Sequence, residues 1–286
     1  MGKEGFLAMY AADLHGNTAQ YTKIFRRMVN DSYDALILGG DLCPKGSFTG
    51  SINVQREFLI SYLIPALKQL ATKNNKKVYL MLGNDDWAGN IDLLEEHHGS
   101  LFNLLESGPF RLCTDFDVIG YPYVPITPFR IKDWEKWDLA TQNPVELERR
   151  ILLKGIVSRK KYYEDKIFNP ENRHDSIEND MKELFLRTDP KKTIYVFHSP
   201  PYNTNLDMLY SREHVGSIAL RMAIEKSQPR LTLHSHIHET VDVSGEFIDK
   251  IKNTLIAAPG NHNDKEEASV LSIRLPEIEI RRLVLR

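Results

Sequence analysis

Cysteine is scarce in this chain: Cys43 and Cys113 are the two among 286 residues. Two thiols build no disulfide framework and fit a reducing, cytoplasmic compartment. Long apolar runs are missing too. Residues 6–12 form an apolar stretch too brief for a secretory leader or a membrane span, and no longer run follows, so no membrane partner is expected. Basic charge is not in excess. The formal net charge of -2 argues against a dedicated nucleic-acid binder, although a local basic patch would not show in that sum. Internal repeats and low-complexity linkers are absent, which removes repeat architectures. What remains is an ordinary globular composition, 42% hydrophobic and 27% charged, with enough apolar material for a large core.

The apolar pattern alternates along the chain. Residues 6–12, 34–38, 77–82 and 193–197 are short continuous apolar runs, the mark of strands buried on both faces. Residues 18–30, 54–72 and 217–227 carry helical spacing, with Pro65 a kink or boundary. Residues 93–105 are mixed and partly helical, and 111–119 read as a strand or hairpin arm. Residues 254–258 predict a strand, and 268–274 with 278–285 a closing hairpin. Residues 120–189 break the rhythm. They open with prolines and aromatics, continue into a charged stretch at 144–168 predicted helical, and end in a second helix at 176–187. The expectation is one domain over 1–286 with an inserted region at about 120–189, of α/β class with a mixed sheet or sheets.

Chemistry collects where the apolar runs end. Asp13-Leu14-His15, Gly39-Gly40-Asp41, Gly83-Asn84-Asp85-Asp86 and His198 each follow a predicted strand. Farther on, Leu231 to Glu239 places His234, His236 and His238 at alternate positions, and an extended backbone would send all three to one face. Ligands of open α/β sheets bind beyond the carboxyl ends of the strands. Seven potential metal ligands would then converge: Asp13, His15, Asp41, Asn84, His198, His236 and His238. An isolated Asp-Leu-His is seldom functional and Gly-Gly-Asp is a common turn; their joint occurrence at strand ends is what an ordinary fold would not produce. Carboxylate, imidazole and amide oxygen together suit Mn, Fe or Zn. Seven ligands exceed one ion's needs, and two ions sharing a carboxylate account for them.

In order, these five blocks resemble those of the calcineurin-like metallophosphoesterases, across residues 6–238 apart from 120–189. The resemblance implies two packed mixed β-sheets with helices outside, a four-layer α/β/β/α sandwich with its metals at the C-terminal ends of the strands. It implies that Asp13, His15, Asp41 and His238 hold one ion, and Asp41, Asn84, His198 and His236 the other, with Asp41 bridging. It further implies hydrolysis of a phosphate ester by a hydroxide between the two ions, with Asn84, Asp85 and His198 as the catalytic residues. The expected partner is a small, nucleotide-like phosphate ester. Two positions depart from the family pattern. Ser235 stands where glycine is usual. Asp85 stands where many members carry a histidine that protonates the leaving group, and branches lacking that histidine look like phosphodiesterases. Diesters are therefore the expected substrates. A nuclease, a phosphomonoesterase and a catalytically weak interaction module on the same scaffold are the alternatives; the retained ligands weigh against the last.

Other residues have plainer readings. His234 fits a core position that orients a ligand. His262, in Gly260-Asn261-His262, fits a turn, with a proton-donating role as the alternative. Cys43 fits a packed small residue. Arg149, Arg150, Lys154, Arg159, Lys160 and Lys161 read as a solvated helix face or, alternatively, a lid that meets phosphate. Trp134 and Trp137, with Arg130 and Lys132, could stack on a substrate ring or pack the insertion onto the core. Residues 121–129 and Trp134 are expected beside the metal edge. His97, His98, His174 and His214 are expected at the surface.

Overall fold

Ala35-Leu36-Ile37-Leu38-Gly39 is buried at every residue. A strand apolar on both faces has to lie between two layers. The computed structural model, described over residues 5–45, 51–141 and 151–286, builds two sheets of this kind. Numbered along the chain, the early strands are β1 (Phe6–Ala11), β2 (Ala35–Gly39), β3 (Lys77–Met81), β4 (Asn103–Leu104), β5 (Phe110–Arg111) and β6 (Asp117–Tyr121). Next come β7 (Val124–Pro125), β8 (Glu135–Lys136), β9 (Lys154–Arg159), β10 (Tyr162–Ile167), β11 (Thr193–Phe197) and β12 (Leu231–Leu233). The last are β13 (Ile248–Ile251), β14 (Thr254–Ala257), β15 (Ala268–Leu275) and β16 (Glu279–Leu285).

The first sheet runs β16-β15-β1-β2-β3-β4, with β1 to β4 parallel and the closing hairpin β15–β16 added antiparallel to β1. The second runs β13-β14-β12-β11-β6-β5, parallel at its centre and antiparallel at both edges. Period-two alternation decides what each row of side chains meets. Met9, Leu36 and Val78 pair across the first sheet and face its outer helices. Tyr10, Ile37 and Tyr79 form the opposite row and meet Val118, Ile194, Val196, Leu231 and Leu233 of the second sheet. On that sheet's far side, Ile119, Tyr195, Phe197 and Ile256 pack against the helices Ile177–Leu186 and Ile218–Ser227. The layers are thus helix, sheet, sheet, helix, the sandwich that the family resemblance implied.

The helices start where side-chain caps allow. Asn17 accepts from the amide of Gln20 at the start of Thr18–Asn30, and Ser176 and Ser217 cap their helices in the same way. The helix over 51–73 passes through Pro65 without breaking. Its turn at Leu59–Leu63 widens to π geometry, with Ile64 N–H donating to Leu59 O, just ahead of the proline. That widening relieves the clash a proline ring makes with the preceding turn. Among the described residues no helix is long and apolar enough to cross a membrane.

Residues 120–189 differ from expectation in part. The helix at the end forms, as Ile177–Leu186. The charged stretch does not become a helix: β9 and β10 make a hairpin, Arg159 opposite Tyr162, with Lys160 left-handed in its turn (φ 54°). Its residues alternate weakly and include Ile156, Val157, Tyr162 and Tyr163, which favour strands, whereas the many charges had masked the period. Residues 142–150, with Arg149 and Arg150, lie outside the described residues.

Candidate metal centre

The carboxyl ends of the two sheets meet at one edge. Gly39 O, at the end of β2, accepts from Ser235 Oγ at 3.0 Å and lies 3.0 Å from His198 Nδ1. β1 and β2 stay tied past their last residues: Asp13 N–H donates to Gly40 O at 3.0 Å and His15 N–H to Asp41 O at 2.9 Å. The backbone turns left-handed at Asp13 (φ 56°), His15 (φ 41°), Asp41 (φ 52°) and His236 (φ 73°). Each such residue costs on the order of 1–3 kcal/mol, and strain of this kind collects at functional sites. Two glycines make the approach possible. A Cβ on Gly40 would lie 2.6 Å from His198 Nδ1, and one on Gly83 2.4 Å from both the amide nitrogen and Oδ1 of Asp41.

Two groups of ligand atoms result. Asp13, His15, Asp41 and His238 each present one within 4.8 Å of the others, and so do Asp41, His198 and His236. Asp41 belongs to both groups. Asn84 joins the second, its Oδ1 lying 3.0 Å from His198 Nε2. All seven candidates from the sequence therefore stand together.

The histidine run behaves differently from the alternation argument. β12 ends at Leu233, so the strand does not carry three imidazoles to one face. His234 is buried, with Nε2 2.6 Å from Thr232 Oγ1 and Nδ1 2.9 Å from Ser199 O. After it, Ser235 N–H donates to His198 O, and His236 N–H meets both carboxylate oxygens of Asp13 at 3.1 Å. These contacts replace the ladder, and His236 and His238 reach the centre from a loop.

Burial, above all, pushes His15 and His236 down to about 3, so both imidazoles are neutral with a free lone pair near pH 7. Burial also works against a charged His198, but the Asp41 carboxylate overrides it and raises His198 to about 9. Asp13 is raised by burial. Burial acts upward on Asp41 as well, yet His198 and His15 hold its carboxyl well below the usual range.

His15 Nε2 lies 3.2 Å from His238 Nε2 and 3.7 Å from Asp41 Oδ2. His198 Nε2, besides facing Asn84, lies 3.4 Å from Asp41 Oδ2. Imidazole lone pairs and carboxylate or amide oxygens are acceptors facing acceptors, and protons or cations must stand between them. His198 Nδ1 faces Gly39 O and Ser235 Oγ at 2.8 Å, which fixes the proton there and turns Nε2 inward. This nitrogen and oxygen set, buried but for the half-buried His236 and His238, fits two metal ions.

Residues beside the ligands support their loops. Asp86 accepts from the amides of Leu42 (3.0 Å), Cys43 (2.8 Å) and Gly83 (2.9 Å), stapling the Asp41 loop to the Asn84 loop. Asn261 donates to Asp13 O at 3.0 Å, so its Gly-Asn-His setting serves the first loop. His262 turns to Asp242, with Nε2 3.0 Å from Oδ2. Asp85 N–H donates to Asp41 Oδ1 at 2.8 Å, while its own Oδ2 lies 3.1 Å from Lys45 Nζ. Burial and Asp41 push Asp85 upward, and Lys45 opposes them. Cys43 is packed in the core.

The two tryptophans of residues 120–189 pack, whereas Phe129 is exposed. Trp134 is buried and its Nε1 donates to Asp86 O at 2.9 Å; Trp137 meets Phe168 edge-on. A cavity of about 370 Å³ lies against Tyr121, Tyr123, Trp134, Lys136, Glu106 and Arg187, and none of the seven ligand candidates lines it. The expected wall at 121–129 thus borders a separate cavity, joined to the metal edge through the Trp134–Asp86 bond. His174 is exposed as expected; His97, His98 and His214 are half-buried, and His98 accepts from Leu104 N–H while His214 pairs with Asp207.

A helix–sheet–sheet–helix sandwich with two His/Asp clusters at its shared strand edge defines a metallophosphoesterase-type protein. The sequence profile of the calcineurin-like phosphoesterases matches residues 9–240, and the chain belongs to that family. TT1561 of Thermus thermophilus has a similar fold, with a TM-score of 0.56 at 15% identity over 99% of this chain and all (100%) of that one. Another crystal structure superposes with a TM-score of 0.66 at 13% identity over 99% of this chain and 100% of its own. An uncharacterized protein of Methanocaldococcus jannaschii is 35% identical over 96 residues, 32% of this chain and 42% of that relative, so the match spans less than half of its length.

Proposed function

We propose that the protein is a two-metal phosphoesterase acting by preference on small, nucleotide-like phosphodiesters. The observation that carries this reading is the placement of Asp41 in both ligand groups, at an edge reached from five strand ends. Asp13, His15, Asp41 and His238 would hold one ion, and Asp41, Asn84, His198 and His236 the other. Bound there, two ions would supply Lewis acidity and an activated water for in-line displacement at phosphorus. Ser235 and Gly39 keep the His198 proton on Nδ1, and Asp86 keeps the two loops in register. The diester preference rests on Asp85, a carboxylate where an imidazole would serve a poor leaving group better. We place the protein in the cytoplasm on its two unpaired cysteines and read residues 1–286 as one domain with an insertion at about 120–189.

Elemental analysis of metal-replete protein, paired with assays of a bis-aryl phosphodiester and an alkyl monoester, tests this. Two ions per chain and faster diester turnover are expected. One ion or fewer per chain, or preferred turnover of the alkyl monoester, would overturn it.

A further inference from the structure

Lys45 follows Asp41 in the same loop. Its Nζ lies 3.1 Å from Asp85 Oδ2, and half of its side chain is open to solvent (50%). The same Asp85 oxygen lies 3.8 Å from His15 Nδ1, a buried nitrogen without a hydrogen-bond partner among the described residues. The ammonium therefore stands at the rim of the ligand cluster, one side toward Asp85 and the other toward water.

Stability does not explain this pair. An ion pair half open to water contributes little to folding, and a cation beside a centre built for cations is repelled by it. Substrate chemistry does explain it. Asp85 alone would set a negative charge beside an incoming phosphate anion. An ammonium held on that carboxylate cancels the charge and keeps donors free, since it has three N–H bonds and Asp85 takes one. We infer that Lys45 is a substrate-contacting residue: held by Asp85, its ammonium binds an oxygen of the phosphoryl group at the metal edge. Asp85 is then a positioning residue. This inference rests on the phosphoesterase reading.

The test compares wild type, Lys45→Met, Lys45→Arg, Asp85→Ala and the double variant Lys45→Met/Asp85→Ala. Each is loaded with metal, checked for ions per chain, titrated with inorganic phosphate by calorimetry and assayed on a bis-aryl diester. Lys45→Met should weaken phosphate binding and lower kcat/KM by about 10- to 100-fold, the range for a hydrogen bond to a charged group, with metal content unchanged. Lys45→Arg should retain most of both. Removing Asp85 from the Lys45→Met background should restore part of the phosphate affinity, because the unpaired carboxylate is what then repels the anion. Lys45→Met within twofold of wild type in both readouts overturns the assignment. A wild type that binds phosphate through Lys45 but hydrolyses no ester overturns the phosphoesterase reading alone. A wild type with two ions that binds no phosphate overturns both.

Discussion

At the scale of single residues, Asp41 concentrates the risk. It offers the one carboxylate common to both ligand groups, and its Oδ1 also receives the amide of Asp85. On the two-metal reading, Asp41→Asn should hold fewer than one ion per chain by elemental analysis, where wild type is expected to hold two; a variant that matches wild type would remove Asp41 from the proposed bridging role. Gly83→Ala should act at the same place by sterics, because its Cβ would fall 2.4 Å from the Asp41 backbone and carboxylate. Lower metal occupancy and a lower Tm are expected, while an unchanged pair of values would mean that the loop yields easily. Asp85→His installs a group with an unperturbed pKa of about 6.5, suited to proton transfer near neutral pH. It should raise alkyl monoesterase relative to diesterase activity, and an unaltered ratio would place the proton donor elsewhere.

At the scale of elements, residues 120–189 hold a buried ion pair as well as an apolar cluster. Lys132 and Glu135 form an ion pair at 2.6 Å with both side chains fully enclosed (0% exposed), and Glu135 also accepts from the amide of Thr127. Burial pushes Glu135 up to about 7 and Lys132 down, which is the cost of the site seen from each partner. Such a pair is weak as a source of stability but costly to break, because one partner is left buried and uncompensated. Glu135→Ala should destabilise the fold by about 3–5 kcal/mol in denaturant titration. A loss under ~1 kcal/mol would indicate that water enters and solvates Lys132.

At the scale of the whole molecule, three carboxyls away from the metal ligands share one sign. Burial raises Glu106 to about 7, Glu135 to about 7 and Asp138 to about 6. For Glu106, whose Oε2 has no hydrogen-bond partner among the described residues, the ordinary value is 4.5. The folded chain keeps this proton where the unfolded chain has released it. Its contribution to stability is therefore complete below about pH 4.5 and is lost as pH rises through about 7. The Glu106 contribution to Tm should fall between about pH 4.5 and 7, so metal-loaded Glu106→Gln should lose less Tm than wild type over that range, since an amide has no proton to give up. Parallel Tm–pH curves for the two proteins would exclude Glu106 as a source of the slope.

The sequence by itself pointed to the buried strands and to the seven candidate ligands at their ends, and its family resemblance to the layers. Apolar runs such as residues 34–38 require burial on both faces, alternation assigns Tyr10 and Met9 to opposite layers, and Asp13, Asp41, Asn84 and His198 stand directly at the ends of such runs. These are short-range properties, and short-range properties are written in local order. The family resemblance had already set His236 and His238 apart from His234; the tertiary structure supplies the physical reason. β12 stops where its neighbours stop pairing, so His234 turns into the core while His238 meets His15 across 223 residues of chain. It also decided that residues 154–167 fold as a hairpin, that Asp86 and Asn261 brace the ligand loops, and that Lys45 sits on Asp85. Each of these depends on a contact between segments distant in sequence or on a backbone turn of positive φ. Composition and periodicity register neither, because such contacts become favourable only after both sheets have closed on one edge.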